Sequence, residues 1–162
     1  MHFESLGHFA EHLLKSAIAE EMEMHKGLER CAKLIEKTAK AEIGVYQPEV
    51  GPFQDWAELA GSTKEDRTRL GYTDDEPLLR SGELRDSITH ETAGLEAVIG
   101  STSPVMAYME FGTLNAPPRP VMGPAAFRNK EKIRKIVGVS AISGMTKGSL
   151  IHSALGYNME IE

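Results

Sequence analysis

The chain has little of what several common classes of protein require. Its 162 residues include a single cysteine, Cys31, which excludes a disulfide within the chain and any site built from several cysteines. No apolar run approaches the length of a membrane span, and the first residues do not form a basic segment followed by an apolar one. We therefore expect no contact with a membrane, and synthesis in the cytoplasm.

Catalytic motifs are also scarce. The sequence contains no G-x-S-x-G nucleophile elbow and no glycine-rich phosphate loop followed by Lys-Ser or Lys-Thr. His8, Glu11 and His12 match the H-x-x-E-H spacing of inverted zinc proteases, but they stand on a charged amphipathic helix without an evident third ligand. Cys31 falls on an apolar stripe, which favours a buried thiol over a nucleophile. We predict no enzymatic activity, no catalytic residue, no metal and no cofactor.

Charge is unevenly distributed along the chain. The net charge of −6 divides into −2 over residues 1–43, −7 over residues 44–100 and +3 over residues 101–162. An acidic chain is a poor candidate for tight, non-specific DNA binding. Opposite charges on two parts of one chain are compatible with head-to-tail self-association, although ordinary surface charge is the simpler interpretation.

Periodicity predicts an α+β fold that begins with one long helix. Heptad-spaced apolar residues run through 5–43, with Ser5 as a suitable N-cap and Gly44 as a suitable stop. Such a helix would be about 57 Å long at 1.5 Å per residue. We therefore expect it either to break near Gly27 or to project and pack on other subunits.

An α+β core is predicted over residues 44–137. Its first part, 44–79, is a long loop punctuated by glycine and proline and anchored by Phe53 and Trp56. Within this loop we expect a helical turn at 55–59 and a capping box that starts at Thr63.

A small antiparallel sheet is predicted after that loop. Alternating residues at 87–91 and a β-rich stretch at 95–101 form its hairpin. Residues 105–111 fit a further strand or a short helix. A second helix over 124–137 would pack on the sheet. The C-terminal segment 138–162 would be part of the same domain or flexible, and its last part, 149–161, would add an edge strand or hang free.

The stretch A-Y-M-E-F-G-T-L-N-A-P-P-R-P at 107–120 is the most informative part of the chain. Its chemistry is that of a strand ending in a tight turn at Gly112, followed by an arm stiffened by three prolines. Glu110 is a candidate for a buried or paired carboxylate. Arg119 lies between two prolines, where its guanidinium would be presented at low entropic cost. A stiff arm suits docking onto a neighbour better than chemistry.

One basic cluster falls on the predicted second helix. Arg128, Lys132 and Lys135 are spaced four and three residues apart, so that they share one helix face. This face could contact DNA phosphates or an acidic partner, or it could simply be solvated. The absence of interleaved aromatic residues argues against stacking on single-stranded bases.

Three motifs follow one another in a fixed order. They are W-A-E-L at 56–59 followed by Thr63 and Arg67, P-L-L-R-S-G-E-L-R-D-S-I at 77–88, and A-Y-M-E-F-G-T at 107–113 with P-R-P at 118–120 and a helix after it. This order resembles that of the small tail-completion, neck and virion-morphogenesis proteins of tailed bacteriophages. The resemblance covers about residues 54–137.

The resemblance implies a structural virion protein without enzymatic activity. It would be made in the host bacterial cytoplasm and form a closed six- or twelvefold ring, preferably sixfold, at the head–tail junction. Its neighbours would be head-closure or connector proteins and tail-terminator or tail-tube proteins, and duplex DNA would pass through the lumen without sequence-specific binding. The expected subunit or partner interface consists of Tyr108, Glu110, Phe111, Gly112, Thr113, Pro118, Arg119 and Pro120.

A different class of function fits the long helix. A small regulatory or interaction module could dimerise through the heptad positions of residues 5–43.

Overall fold

The computed structural model describes residues 5–145 and confirms the α+β class. It contains a long N-terminal helix, a two-stranded antiparallel sheet and further helices that pack on it. Within the described residues the elements in chain order are α1 (Leu6–Glu42), α2 (Gly61–Arg69), α3 (Glu83–Asp86), β1 (Ile88–Ala93), β2 (Glu96–Ser101), α4 (Val105–Phe111), α5 (Met122–Arg128) and α6 (Lys130–Met145).

The chain divides into two compact units. The first takes the described parts of Met1–Cys31 and Glu131–Glu162, together with Thr92–Ala97. The second is formed by Ala32–Glu91 and Val98–Lys130. Both units therefore take residues from α1.

The long helix predicted for 5–43 is present, with the predicted ends. The backbone N–H of His8 donates to Ser5 Oγ at 3.2 Å, which is an N-cap bond. Gly44 has φ +100°, the left-handed conformation that ends many helices, and its N–H donates to Pro77 O at 2.8 Å. The helix does not break at Gly27, and its packing on other subunits stays a prediction.

Two glycines bring α1 and α6 together in the first unit. A Cβ added to Gly27 would collide with the Ser140 side chain, and one added to Gly144 would collide with the backbone of Glu20. Arg30 Nη2 also donates to Ser140 Oγ at 3.2 Å. Glycine at these two positions therefore allows the backbones to approach more closely than larger residues would permit.

The second unit holds a hydrophobic core, to which the end of α1, the long loop, β1, α4 and α5 all contribute. Trp56 is 4% exposed, and its indole Nε1 donates to Pro120 O at 3.1 Å, so a polar atom of the largest core side chain is satisfied. The fully packed members of this core are Ala39, Ile43, Trp56, Ile88, Met106, Val121 and Ala125.

Three predictions about local structure are wrong. Residues 55–59 form no helical turn, because Trp56 N instead donates to Gln47 O and holds that part of the loop extended. Thr63 does not start a capping box, since α2 already begins at Gly61 and its N-cap makes no side-chain bond. The predicted helix at 124–137 is two helices, and the predicted end at 137 is passed because α6 continues to Met145.

Asn129 explains the interruption between α5 and α6. Its side chain is buried, and its Nδ2 donates to Ala125 O at 2.8 Å and to Thr38 Oγ1 at 2.7 Å. The amide thus satisfies a carbonyl in α5 and ties the junction to α1. The prediction that the end of the chain adds an edge strand or hangs free concerns residues 149–161, which lie outside the described residues.

Candidate subunit interface

The stretch 105–111 is the helix α4, so the short helix predicted as one alternative is confirmed and the strand before Gly112 is wrong. Ser103 O and Pro104 O accept hydrogen bonds from Met106 N and Ala107 N, both at 3.2 Å, and these bonds start the helix. Met106 points into the core and is 5% exposed. The opposite side of this short helix therefore faces away from the core.

Three large side chains of α4 and the turn after it are exposed. Tyr108 is 58% exposed, Phe111 is 82% exposed, and Leu114 is fully exposed. Tyr108 and Phe111 are three residues apart and so share one side of α4. We call these three side chains the apolar tip: Tyr108, Phe111 and Leu114.

A tight turn places Leu114. Thr113 N donates to Ala116 O at 2.9 Å and Ala116 N donates to Thr113 O at 3.3 Å, so these two residues close a two-residue loop. Asn115 N also donates to Thr113 Oγ1 at 3.3 Å. Leu114 is the first residue within this loop, and its apolar side chain stands in solvent on a fixed backbone.

Gly112 is required where α4 meets that turn. Its φ is +75°, and an added Cβ would lie 2.9 Å from Pro118 N. The prediction that Gly112 adopts an angle other residues resist is therefore confirmed. Residues 111–118 line a shallow, open depression of about 500 Å³.

Arg119 does not present its charge to a partner, which corrects the expectation from the sequence. Its side chain is 6% exposed. Its Nη2 donates to Ala57 O at 2.8 Å and to Glu58 O at 3.2 Å, and its Nε donates to Ala57 O at 3.3 Å. The guanidinium thus binds the long loop to the arm within one chain, because a fork of donors matches neighbouring backbone carbonyls.

Glu110 is the paired carboxylate that the sequence predicted. Its Oε2 accepts from Val121 N at 2.7 Å and from Met122 N at 3.2 Å, and its Oε1 accepts from Gly123 N at 3.3 Å. A carboxylate satisfies the unpaired N–H groups at the start of α5 and also complements the helix dipole. Glu110 and Arg119 therefore fix the base of the arm. Pro118, one residue before Arg119, is exposed.

A second carboxylate close to this base is buried without such partners. Glu42 is 3% exposed, and neither of its carboxylate oxygens accepts a hydrogen bond from a described residue. Arg128 Nε lies 3.3 Å from Glu42 Oε1, an ion-pair distance without hydrogen-bond geometry. Burial raises the pKa of Glu42 to about 7; Arg128 opposes this shift, and the nearby Glu110 adds to it.

Phe53 and Trp56, the predicted loop anchors, both pack in the second unit. The ring of Phe53 meets the ring of Phe127 edge to face, with centroids 6.5 Å apart. A Cβ added to Gly123 would collide with the Phe53 ring, so the first turn of α5 packs directly on that ring. The loop is thereby attached to α5 at Phe53 and to the arm at Trp56.

The three basic residues predicted on one helix face do not share a helix. Arg128 is the last residue of α5 and pairs with Glu42, whereas Lys132 and Lys135 belong to α6. The side chains of Lys132 and Lys135 are exposed and three residues apart. These two lysines therefore remain candidates for contact with phosphates or acidic groups.

Residues 5–145 contain no group of three or more His, Cys, Asp and Glu side chains arranged to hold a metal ion. Among the same residues, no helix is long and apolar enough to cross a membrane. Comparisons with protein-family models, with curated proteins and with solved structures find no match to this chain. What the arm does must therefore be inferred from its own residues.

Sequence reasoning missed two residues of this region. The exposure of Leu114 could have been predicted. It is a large apolar residue between Thr113 and Asn115, in a turn bounded by glycine and proline, where it has no local packing partner. Glu42 carried none, since an acidic residue in the last turn of a helix gives no indication that it is buried.

Proposed function

We propose that this protein is a structural virion subunit of a tailed phage that assembles as a closed ring, preferably sixfold, at the head–tail junction. Duplex DNA would pass through the lumen without sequence-specific binding. Head-closure or connector proteins and tail-terminator or tail-tube proteins would be its neighbours. The ordered motifs between residues 56 and 126 motivate the proposal.

The observation that carries the proposal is the apolar tip. Phe111 and Leu114 expose large apolar side chains, and a monomer gains nothing from keeping them in water. Their backbone is held in place by Gly112, by the 113–116 turn and by the buried Arg119. A preformed apolar projection loses little conformational entropy on docking, which is what a repeated subunit contact requires.

A contact of this kind produces a ring when it joins two different surfaces and closes. The tip of one subunit would dock on a different surface of the next, which makes the contact heterologous. The acidic stretch 44–100 and the basic stretch 101–162 provide opposite charges for such a head-to-tail arrangement. The exposed Lys132 and Lys135 would then contact DNA phosphates or an acidic neighbour.

Mass photometry of the full chain, followed by negative-stain imaging, tests this proposal. We expect rings whose hole admits duplex DNA, about 20 Å or more across, a little above the groove dimensions of B-DNA. The double variant Phe111→Ser/Leu114→Ser should prevent ring formation, whereas Leu70→Ser, another exposed leucine, should leave it intact. A wild-type chain that stays monomeric and is also absent from purified virions would refute the proposal.

The alternative is a small dimeric regulatory or interaction module assembled through the N-terminal heptad helix. The exposure of Leu6, Leu13 and Leu14 in the first half of α1 favours it. A discrete dimer that survives Phe111→Ser/Leu114→Ser but is lost in Leu13→Ser/Leu14→Ser would support this function over the ring.

A further inference from the structure

A cavity of about 600 Å³ lies within the second unit. Its walls come from parts of the chain that are distant in sequence: the long loop, α2, the segment 78–84, α4 and the arm. All three motifs noted in the sequence contribute to these walls, although none of them indicated a cavity. The volume is in the range of sites that hold small molecules.

Two buried arginines line this cavity without an ion-pair partner. Arg67 and Arg119 are each 6% exposed. Both use Nε and Nη2 to bind backbone carbonyl oxygens, and neither forms an ion pair with a described residue. The carboxylate of Asp75 interacts with the charge of Arg67, but it is bound to Lys64 and Tyr46. Because a buried charge is stabilised by an opposite one, the two guanidinium groups favour an anion in the cavity.

Each of these guanidinium groups keeps one nitrogen for a ligand. The Nη1 atoms of Arg67 and Arg119 donate to no described residue, yet neither atom is fully buried. Since both side chains line the cavity, these NH2 groups can donate to a molecule that enters it. Arg80, Glu58 and Glu83 also line the cavity, but they are exposed, so that water and salt screen their charges.

Much of the remaining wall is apolar. Leu78 has φ +62°, which is uncommon for a leucine and belongs to the strained conformations that cluster at ligand sites. An apolar wall is stabilised by contact with hydrocarbon and gains little from a hydrated inorganic ion. The large apolar side chains of the wall are Leu59, Leu78, Leu84, Val105 and Met109.

We propose that this cavity binds a small organic acid, in which a carboxylate is joined to a hydrocarbon body. The carboxylate would accept hydrogen bonds from the Nη1 groups of Arg67 and Arg119, and the body would cover the apolar wall. A glutamate of another protein suits the cavity less well. Its short side chain would bring peptide groups against the leucines and desolvate them.

Ligand-observed saturation-transfer NMR on the full chain tests the proposal, with 4-methylpentanoate as the probe. Two controls separate its parts: 4-methylpentanamide has the same hydrocarbon body without the charge, and acetate has the charge without the body. At neutral pH and constant ionic strength, we expect 4-methylpentanoate to bind at least tenfold more tightly than either control.

A matched pair of variants locates the binding in the cavity. Val105 lines the cavity and is 43% exposed, so replacing it removes no fully buried side chain. Val105→Glu adds a tethered carboxylate and should weaken the binding of 4-methylpentanoate at least fivefold. Val105→Gln has nearly the same size without the charge and should change it less than twofold. The direct variant Arg67→Gln should lose binding at least tenfold, and the Val105 pair keeps the test decisive if that variant does not fold.

Several results would overturn the proposal. Absence of saturation transfer from the wild type would exclude the site, and binding of either control as tightly as 4-methylpentanoate would remove one half of the ligand chemistry. Equal affinity of the Val105→Glu and Val105→Gln variants would place the binding elsewhere. Tighter binding of the peptide acetyl-leucyl-glutamyl-leucinamide would assign the cavity to a partner protein instead of a free acid. None of these measurements requires a ring, so their failure would leave the proposed function untouched.

Discussion

The arm has a base held by Arg119 and Glu110 and a tip that includes Phe111 and Leu114. Charged side chains are usually exposed and apolar ones buried, but here the charged groups are inside and the apolar groups are in solvent. At the base, the charged side chain of Arg119 is buried and Glu110 is bound to backbone N–H groups. At the tip, Phe111 and Leu114 are apolar and exposed. Buried charges with matched partners stabilise the chain's own fold, whereas exposed apolar groups on a fixed backbone gain free energy only from something outside it. The two regions should therefore respond to mutation in opposite ways.

Arg119→Ala should have the largest effect on folding. It leaves the carbonyl oxygens of Ala57 and Glu58 without their donor and removes a buried side chain, so we expect a loss of about 3 kcal/mol in the free energy of unfolding. Urea unfolding followed by circular dichroism measures it. Loss of assembly with unchanged stability would show instead that the guanidinium acts at an interface.

Glu42→Gln should change the pH dependence of stability. The pKa of Glu42 is raised by burial from 4.5 to about 7, so the folded state holds a proton that the unfolded state releases. Wild-type stability should therefore be highest, as far as this group is concerned, below pH 4.5, and should fall by up to about 3 kcal/mol as pH rises through 7.

Glutamine is neutral at every pH and lacks this slope. The variant should match the wild type near pH 4.5, the ordinary pKa of the group, and be the more stable protein about one unit above the raised value. Taking the difference between the two proteins cancels the other titrating groups. A variant less stable than the wild type at that higher pH would mean that the attraction of Arg128 outweighs the cost of burying the charge.

Glu110→Ala should have a smaller effect. It leaves three N–H groups at the start of α5 without their acceptor, and loss of a helix cap costs about 1–2 kcal/mol. Glu110→Gln keeps an acceptor oxygen without the charge and should recover part of the loss. Thermal unfolding of the three proteins compares them, and equal stability of the alanine variant and the wild type would exclude a capping role.

The sequence predicted the features that depend on local chemistry. The ends of α1 follow from Ser5 and Gly44, and the bend after α4 follows from Gly112, because each needs only the conformational preference of one residue. The hairpin was also predicted, from the alternation of apolar and polar residues in its strands and from the glycine at its turn.

The features that failed depend on partners far away in the chain. Residues 105–111 fit a strand or a helix by pattern alone. The hydrogen bonds that Ser103 O and Pro104 O accept, together with the burial of Met106, decide for the helix. The sequence suggests that the charge of Arg119 is exposed, because its hydrogen-bond acceptors are distant in the chain. These acceptors are the carbonyl oxygens of Ala57 and Glu58, 62 and 61 residues earlier. The role of the apolar tip is still a prediction.

Leu114→Ser should have the smallest effect on folding and is the sharpest test of the comparison. Leu114 is fully exposed, so replacing it removes no burial and should change the free energy of unfolding by less than about 0.5 kcal/mol. If the tip docks on a neighbour, the same change removes a buried leucine from each subunit contact, so every contact around a ring is weakened. Mass photometry over a dilution series should then show oligomers dissociating at a protein concentration at least tenfold higher than in the wild type.

Asn115→Ser alters the same turn without removing an apolar group and should dissociate like the wild type. If both variants dissociate like the wild type, the exposed leucine is a tolerated surface residue, and the division between a folding base and a docking tip fails.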